Sequence, residues 1–188
     1  MASINIHLAV AKRYIEKQKD IKNIDEFYNG IMDVDFAKDK VKSHYGKKEE
    51  GYNIIKDLEN KVLLYEYLKT NNINTDYKKG IFLHLITDYL FFNNFLDKKY
   101  LQKTSDYNFI TDLYYSYTMT NEYINKKYKI YCLNNIKKID LEKINNFDKQ
   151  GKNIISFEKL DYFIENVSSI ELDKYINKII QNKRNILP

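Results

Sequence analysis

The stretch that decides the fold is GIFLHLITDYL, residues 80–90. Its apolar side chains recur at helical spacing, which places His84 and Asp88 one turn apart on one face of an α-helix. Ile81 and Leu85 share that face, so we expect it to pack inward. A buried polar group without a partner costs about 1–3 kcal/mol. The pair therefore needs partners, and each other, a backbone carbonyl or a metal ion would serve.

The sequence around this stretch predicts further helices. Only five glycines and one proline interrupt 188 residues, so long apolar-periodic segments follow one another with few breaks. Ser3 is placed to cap the first helix, and Gly30 is placed to end the second. We expect helices over residues 4–19, 23–30, 49–70, 76–96, 108–129, 136–146, 157–167 and 170–182, an irregular stretch over 31–48 and a turn over 71–75.

These segments predict an all-α fold, a single domain of about six to eight helices with a metal site between the central ones. Residues 1–100 would hold the metal-site core, and residues 101–188 would form a helical remainder whose role the sequence leaves open. Gly151 is the best candidate for a boundary inside the chain. No linker and no internal repeat divides the sequence.

The composition argues against several functional classes. The net charge of +5 comes from 31 basic and 26 acidic residues that are interspersed, so no concentrated basic face for nucleic acid is expected. The glycines are scattered and form no phosphate-binding loop, so no nucleotide cofactor is expected. No segment approaches the ~18 apolar residues of a membrane span. A single cysteine and the absence of a signal-peptide pattern predict a reduced, cytoplasmic protein.

Three histidines and two aspartates are the candidate metal ligands. We refer to them as the His/Asp cluster: His7, Asp35, His44, His84 and Asp88. Imidazole nitrogens and carboxylate oxygens are common ligands of zinc and similar divalent ions. Each residue also has an ordinary interpretation, because a helical His-x-x-x-Asp pair can simply hydrogen-bond and aspartate is common in turns. Their joint order along the chain favours the metal.

That order resembles the zinc-dependent phospholipase C family and its wider superfamily with the S1/P1-type nucleases, in particular short intracellular bacterial members. The matching pieces cover about residues 4–96. They are a histidine in the first helix, a Gly-x-x-x-x-Asp segment, a Ser-His pair and a Gly-x-x-x-His-x-x-x-Asp-Tyr helix, found here as Ile6-His7-Leu8, Gly30 to Asp35, Ser43-His44-Tyr45 and Gly80 to Tyr89.

The resemblance implies a ligand set. Asp35, His44, His84 and Asp88 would form one site for a divalent metal, expected to be zinc, and Asp88 would bridge to a second ion held by His7. Asp35, His84 and Asp88 would be the catalytic residues. The chain also departs from the family pattern. It has no histidine after His84 to build a further zinc site, and Val34 replaces the usual proline.

The predicted function is therefore metal-dependent hydrolysis of a phosphoester, with a small molecule or a lipid as the substrate. Two alternatives remain open: a metal-binding structural or regulatory domain without catalysis, and a metal-free helical interaction domain. Other residues are weaker candidates for the site. Cys132 is either a nucleophile or a structural thiol, Glu122 is a possible extra ligand or base, and the tyrosines at 114, 115, 117 and 123 either line a cleft or belong to the core.

Overall fold

The computed structural model describes residues 2–45, 62–97, 107–130, 133 and 150–182. These residues form helices and connecting segments without a β-strand, which confirms the all-α fold. None of the described helices is long and apolar enough to cross a membrane. The α-helices are α1 (Ile4–Gln18), α2 (Ile24–Phe36), α3 (Lys40–Ser43), α4 (Val62–Thr70), α5 (Asp76–Leu90), α6 (Tyr107–Tyr128), α7 (Phe157–Val167) and α8 (Leu172–Asn182).

The first half of α1 lies at the centre of the molecule. All residues from Ile4 to Ala11 are buried, and the helix contacts α2, α5, α6 and α7. Ser3 caps α1 as expected, because its hydroxyl accepts a hydrogen bond from the backbone N–H of Ile6. A polar side chain in this part of α1 consequently faces other helices rather than water.

The contact between α2 and α5 is the most extensive helix contact in the described part of the chain, and two glycines permit it. A Cβ atom on Gly30 would lie 2.0 Å from the carbonyl oxygen of Tyr77. A Cβ atom on Gly80 would lie 2.2 Å from the carbonyl oxygen of Phe27. Both obstacles are backbone atoms, which cannot move aside as a flexible side chain can. The two helices therefore meet backbone to backbone at this point.

The prediction that Gly30 ends the second helix is wrong. The helix begins after its Asn23 cap as expected but continues through Gly30 to Phe36. The absence of a Cβ serves the crossing with α5 instead of a helix end. Asp33 and Asp35 therefore lie on the last turns of α2, not in an irregular stretch, and only residues 37–39 separate α2 from α3.

The other predicted helices agree with the structure where it describes them. Helix α5 begins after Thr75 as expected, but a π-helix over Phe91–Phe95 replaces its predicted last turn. Helices α1, α6, α7 and α8 match their predicted spans closely. The helix predicted over 49–70 is seen as α4 and ends at Thr70, while residues 49–61 and the helix predicted over 136–146 lie outside the described residues.

Gly151 packs closely against α6. A Cβ atom there would lie 2.8 Å from the Cβ of Tyr115. The following residues run along the same helix, since Asp112 accepts a hydrogen bond from the backbone N–H of Lys152 and Ser116 accepts one from that of Ile154. The segment predicted as a candidate boundary is thus held against α6 by packing and by two hydrogen bonds.

Candidate metal centre

The structure brings all five residues of the His/Asp cluster together. His7 comes from α1, Asp35 from the end of α2, His44 from the residue after α3, and His84 and Asp88 from α5. Their side chains are almost fully buried: His7, His84 and Asp88 are 0% exposed, His44 is 2% exposed and Asp35 is 12% exposed. Three helices and the end of a short fourth one therefore converge on a polar centre inside an apolar core.

Backbone carbonyls orient two of the imidazoles. The Nδ1 atom of His84 lies 2.8 Å from the carbonyl oxygen of Ile31, across the close crossing of α2 and α5. The Nδ1 atom of His44 lies 2.7 Å from the carbonyl oxygen of Lys40. A carbonyl can only accept, so each Nδ1 carries a hydrogen, which leaves Nε2 as the nitrogen that would bind a metal. Metal-binding histidines are usually held in this way.

Four donor atoms of the cluster have the spacing of ligands around one ion. The Nε2 atom of His84 is 3.3 Å from Asp88 Oδ2 and 4.0 Å from Asp35 Oδ1. The Nε2 atom of His44 is 3.5 Å from each of the same two oxygens. Atoms bound at about 2.0–2.2 Å to a tetrahedral ion lie about 3.3–3.6 Å apart. Three of the four separations lie in this range, and the one between His84 Nε2 and Asp35 Oδ1 is longer.

These atoms make no hydrogen bonds within the part of the chain that the structure describes. They are Asp35 Oδ1, His44 Nε2, His84 Nε2 and Asp88 Oδ2, all buried. A buried polar atom without a hydrogen bond costs about 1–3 kcal/mol, so four of them at one point require an explanation. A cation that accepts all four lone pairs would remove that cost, and the cluster can accordingly hold a metal ion.

The charges of the cluster also suit a cation. Burial would raise the pKa of Asp35, but the neighbouring histidines His84, His44 and His7 outweigh it and lower this pKa to about 2. Burial is likewise outweighed at Asp88, where His7 and His84 hold the pKa well below its ordinary value. Two buried carboxylates therefore carry negative charge at neutral pH, and a divalent cation would balance both.

His7 occupies a different position from the other two histidines. Its ring stacks on that of His84, with centroids 3.7 Å apart and planes 6° from parallel. Its Nε2 atom lies 3.3 Å from Asp88 Oδ1, whereas His44 and His84 face Oδ2 of the same carboxylate. The backbone N–H of Ala2 also donates to Oδ1, over 2.6 Å. Asp88 therefore presents its two oxygens to two different sides.

Burial, and after it the charge of the adjacent His84, lowers the pKa of His7. At His84, burial opposes the charged form, but the charges of Asp35 and Asp88 outweigh it and raise the pKa. Opposite directions are expected for two stacked rings, because two adjacent positive charges would repel each other at this distance. In the described part of the chain, neither nitrogen of His7 has a hydrogen-bond partner.

Several groups near the cluster were not predicted from the sequence. The Ile31 carbonyl and the Ala2 N–H are backbone groups, which no residue type marks. Buried amides on α6, Asn121 and Asn125, meet Ser3 and Asn5 of the α1 region. The sequence does contain a pattern that indicates them. Asn-x-x-x-Asn on the inward face of a helix places two amides one turn apart, where polar groups need partners.

The weaker candidates for site residues differ in how deeply they are buried. Tyr117 is buried, and burial together with the charges of Asp88 and Asp35 raises the pKa of its phenol well above the ordinary value. Tyr114 is 43% exposed. Glu122 is exposed on α6 and so does not join the buried cluster. Cys132 lies outside the described residues.

No protein-family model matches the chain, and searches of curated proteins and of solved structures return no match. The family implied by the sequence motifs therefore stays a prediction.

Proposed function

We propose that the protein is a metal-dependent hydrolase that acts on phosphoesters, with zinc as the metal. The observation that carries this proposal is the set of four buried donor atoms at ligand spacing with no hydrogen bonds among the described residues. Asp35, His44, His84 and Asp88 would hold one ion. His7 and the Oδ1 atom of Asp88 would hold a second.

The stacking of His7 on His84 supports two ions rather than one. An imidazole binds a metal through a lone pair that lies in the ring plane. Because the two planes are nearly parallel and one stacking distance apart, the lone pairs of His7 and His84 lie in separate planes, and the two rings would hold different ions. A carboxylate with one oxygen toward each ring is the group that would link two such ions.

A divalent ion in a site of this type lowers the pKa of a bound water and polarises a phosphoryl oxygen. Hydrolysis also requires oriented ligands and a site shielded from bulk water, and residues of the chain would provide both. Carbonyl hydrogen bonds fix the imidazoles of His44 and His84, and the apolar core excludes bulk water. Asp35 is the most exposed of the five residues, so we place the substrate on its side of the centre.

A structural metal site is the second candidate, and the burial of the cluster favours it. Structural zinc sites are closed, whereas catalytic sites keep an open position for water. Four of the five side chains are at most 2% exposed. A structural ion is tied to folding, so its loss should unfold the protein. A catalytic ion can be removed with a much smaller effect on stability.

The first experiment is metal analysis by inductively coupled plasma mass spectrometry on protein purified without a metal-binding tag. The wild type is compared with the His84→Ala/Asp88→Ala double variant and with Thr87→Val. Thr87 is a matched control because it is buried on the same helix and its hydroxyl donates to the Leu83 carbonyl in its own helix. We expect metal in the wild type and in Thr87→Val and none in the double variant. No metal in any of the three, even after reconstitution, would overturn the proposal.

The second experiment separates catalysis from a structural role. Wild type and Asp88→Ala are assayed on a phosphomonoester, a phosphodiester and phosphatidylcholine vesicles, and their melting temperatures are measured with and without a chelator. A hydrolase should lose turnover in the variant and keep most of its stability after chelation. A metal-loaded wild type that is inactive on all three substrates and unfolds on chelation would favour the structural role.

A further inference from the structure

Helix α6 contributes no residue to the His/Asp cluster but makes two buried polar contacts beside it. The Ser3 hydroxyl donates to Asn121 Oδ1 over 2.9 Å, and the Asn5 side-chain amide donates to Asn125 Oδ1, also over 2.9 Å. All four side chains are at most 7% exposed. We refer to these two contacts as the amide ladder. Its two steps lie two residues apart on the α1 side and one helical turn apart on α6.

The amide ladder is connected to both groups that face Asp88 Oδ1. Ser3 follows Ala2, whose N–H donates to this oxygen over 2.6 Å. The Ser3 carbonyl accepts the backbone N–H of His7 over 3.2 Å, and the His7 ring lies against the same oxygen. The position of Ser3 thus determines where Ala2 and His7 meet Asp88.

Two contacts restrain α1 more strongly than one. A single hydrogen bond would let the helix pivot, whereas two bonds to amides one turn apart fix both its axial position and its rotation. Buried amides also penalise alternatives, because a shift of α1 would break these two hydrogen bonds inside the core. The polar groups therefore specify one register of α1 on α6.

His44 and His84 are held in a different way from His7. Their imidazoles are oriented by carbonyls of α3 and α2, and neither depends on α6. The two sides of the centre consequently have separate supports. Carbonyls fix the Oδ2 side of Asp88, and the amide ladder fixes the Oδ1 side through α1.

We propose that Asn121 and Asn125 are positioning residues for the second metal ion, the one at His7 and Asp88 Oδ1. This inference rests on the proposed two-ion centre. Loss of a residue that orients a ligand typically lowers metal affinity by about 10–100-fold. Breaking the amide ladder should therefore weaken the second ion by a factor in that range and leave the first at its wild-type affinity.

The test is a zinc titration by isothermal calorimetry, with cobalt substitution as a spectroscopic check of each site. The variants are Asn121→Leu and Asn125→Leu, which keep the side-chain volume but remove the acceptor. Asn121→Asp and Asn125→Asp keep an oxygen at the same place and should restore binding. Thr120→Val is the control, because Thr120 is buried on α6 but its hydroxyl bonds within its own helix.

We expect two ions in the wild type, in the aspartate variants and in the control, and a weakened second ion in both leucine variants. A wild type that binds no metal would overturn the proposed function together with this inference. A wild type with one ion, or leucine variants with two ions at wild-type affinity, would overturn the inference alone. Where a leucine variant does not fold, Asn121→Ser or Asn125→Ser replaces it, and its affinity for the second ion is judged in the same way.

Discussion

The imidazole rings of His7 and His84 lie parallel, with centroids 3.7 Å apart and planes 6° from each other. His84 faces Asp88 Oδ2, and His7 faces Asp88 Oδ1. The two oxygens of one carboxylate therefore face two stacked imidazoles, one oxygen to each ring. This arrangement divides the cluster into two sides with a common member.

This division predicts different effects for two single variants. His7→Ala should lower the metal content from two equivalents to one, because the four donors on the Oδ2 side remain. Asp88→Ala should lower it to none or to weak residual binding, since both sides use its carboxylate. Metal analysis after extensive dialysis measures both. Equal metal loss in the two variants would show that the cluster holds one shared ion.

The glycines at the crossing of α2 and α5 should be intolerant of alanine. Gly30→Ala and Gly80→Ala each place a Cβ within 2.2 Å of a carbonyl oxygen on the other helix. The helices must separate to admit it, and we expect a loss of about 3 kcal/mol or more in the free energy of unfolding. Urea denaturation followed by circular dichroism measures this loss.

Tyr162→Ala is the control for the glycine variants, because this side chain is 72% exposed on α7. Its effect should stay within about 0.5 kcal/mol. The glycine variants should also bind less metal, since the same crossing brings the His84 imidazole to the Ile31 carbonyl. Glycine variants as stable as the control would contradict the close packing of the two helices.

Asp161 should be important for the contact between α6 and α7. Its carboxylate accepts hydrogen bonds from the hydroxyls of Tyr123 and Tyr128 and from the Lys127 ammonium group. Asp161→Ala leaves the mostly buried Tyr128 hydroxyl without this acceptor, which should cost about 1–3 kcal/mol of unfolding free energy. Asp161→Asn keeps one carbonyl oxygen and should cost less. A loss no larger than that of the exposed Lys178→Ala variant would show that the contact contributes little.

The ion pairs of Glu165 predict a pH dependence of stability. Hydrogen bonds from Arg13 and charge from Lys17 lower the pKa of Glu165 to about 2, against burial that would raise it. A folded-state pKa below the unfolded value of about 4.3 contributes stability above that value, and this contribution is lost as the pH falls toward 2. The side chain is 40% exposed, so solvent screening limits the contribution to about 1 kcal/mol.

The measurement is the difference in unfolding free energy between the wild type and Glu165→Gln over pH 2.5 to 7. The difference should be constant above pH 5 and should shrink as the pH falls below 4. Adding 1 M NaCl should reduce it at neutral pH, because exposed ion pairs are screened. A difference that is independent of pH would mean that the charge of Glu165 does not contribute.

Helical periodicity was sufficient to predict most helix positions. Ser3, Asn23 and Thr75 each cap a helix at the residue where the pattern begins. The pattern failed at Gly30, where a local rule for helix ends competed with a tertiary contact to α5. It also missed the π-helix after Leu90, because apolar spacing does not distinguish a π-helix from one more α-helical turn.

The sequence by itself determined the helices and the pairing of His84 with Asp88, because residues four apart on a helix are neighbours whatever the surrounding structure. Only the tertiary structure decided that His7, Asp35 and His44 meet this pair. They come from elements far apart in the chain, and their distances depend on how α1 and α2 pack on α5. Two glycines permit the close approach of α2 to α5, and the amide ladder links the α1 region to α6, through contacts that have no counterpart in local sequence.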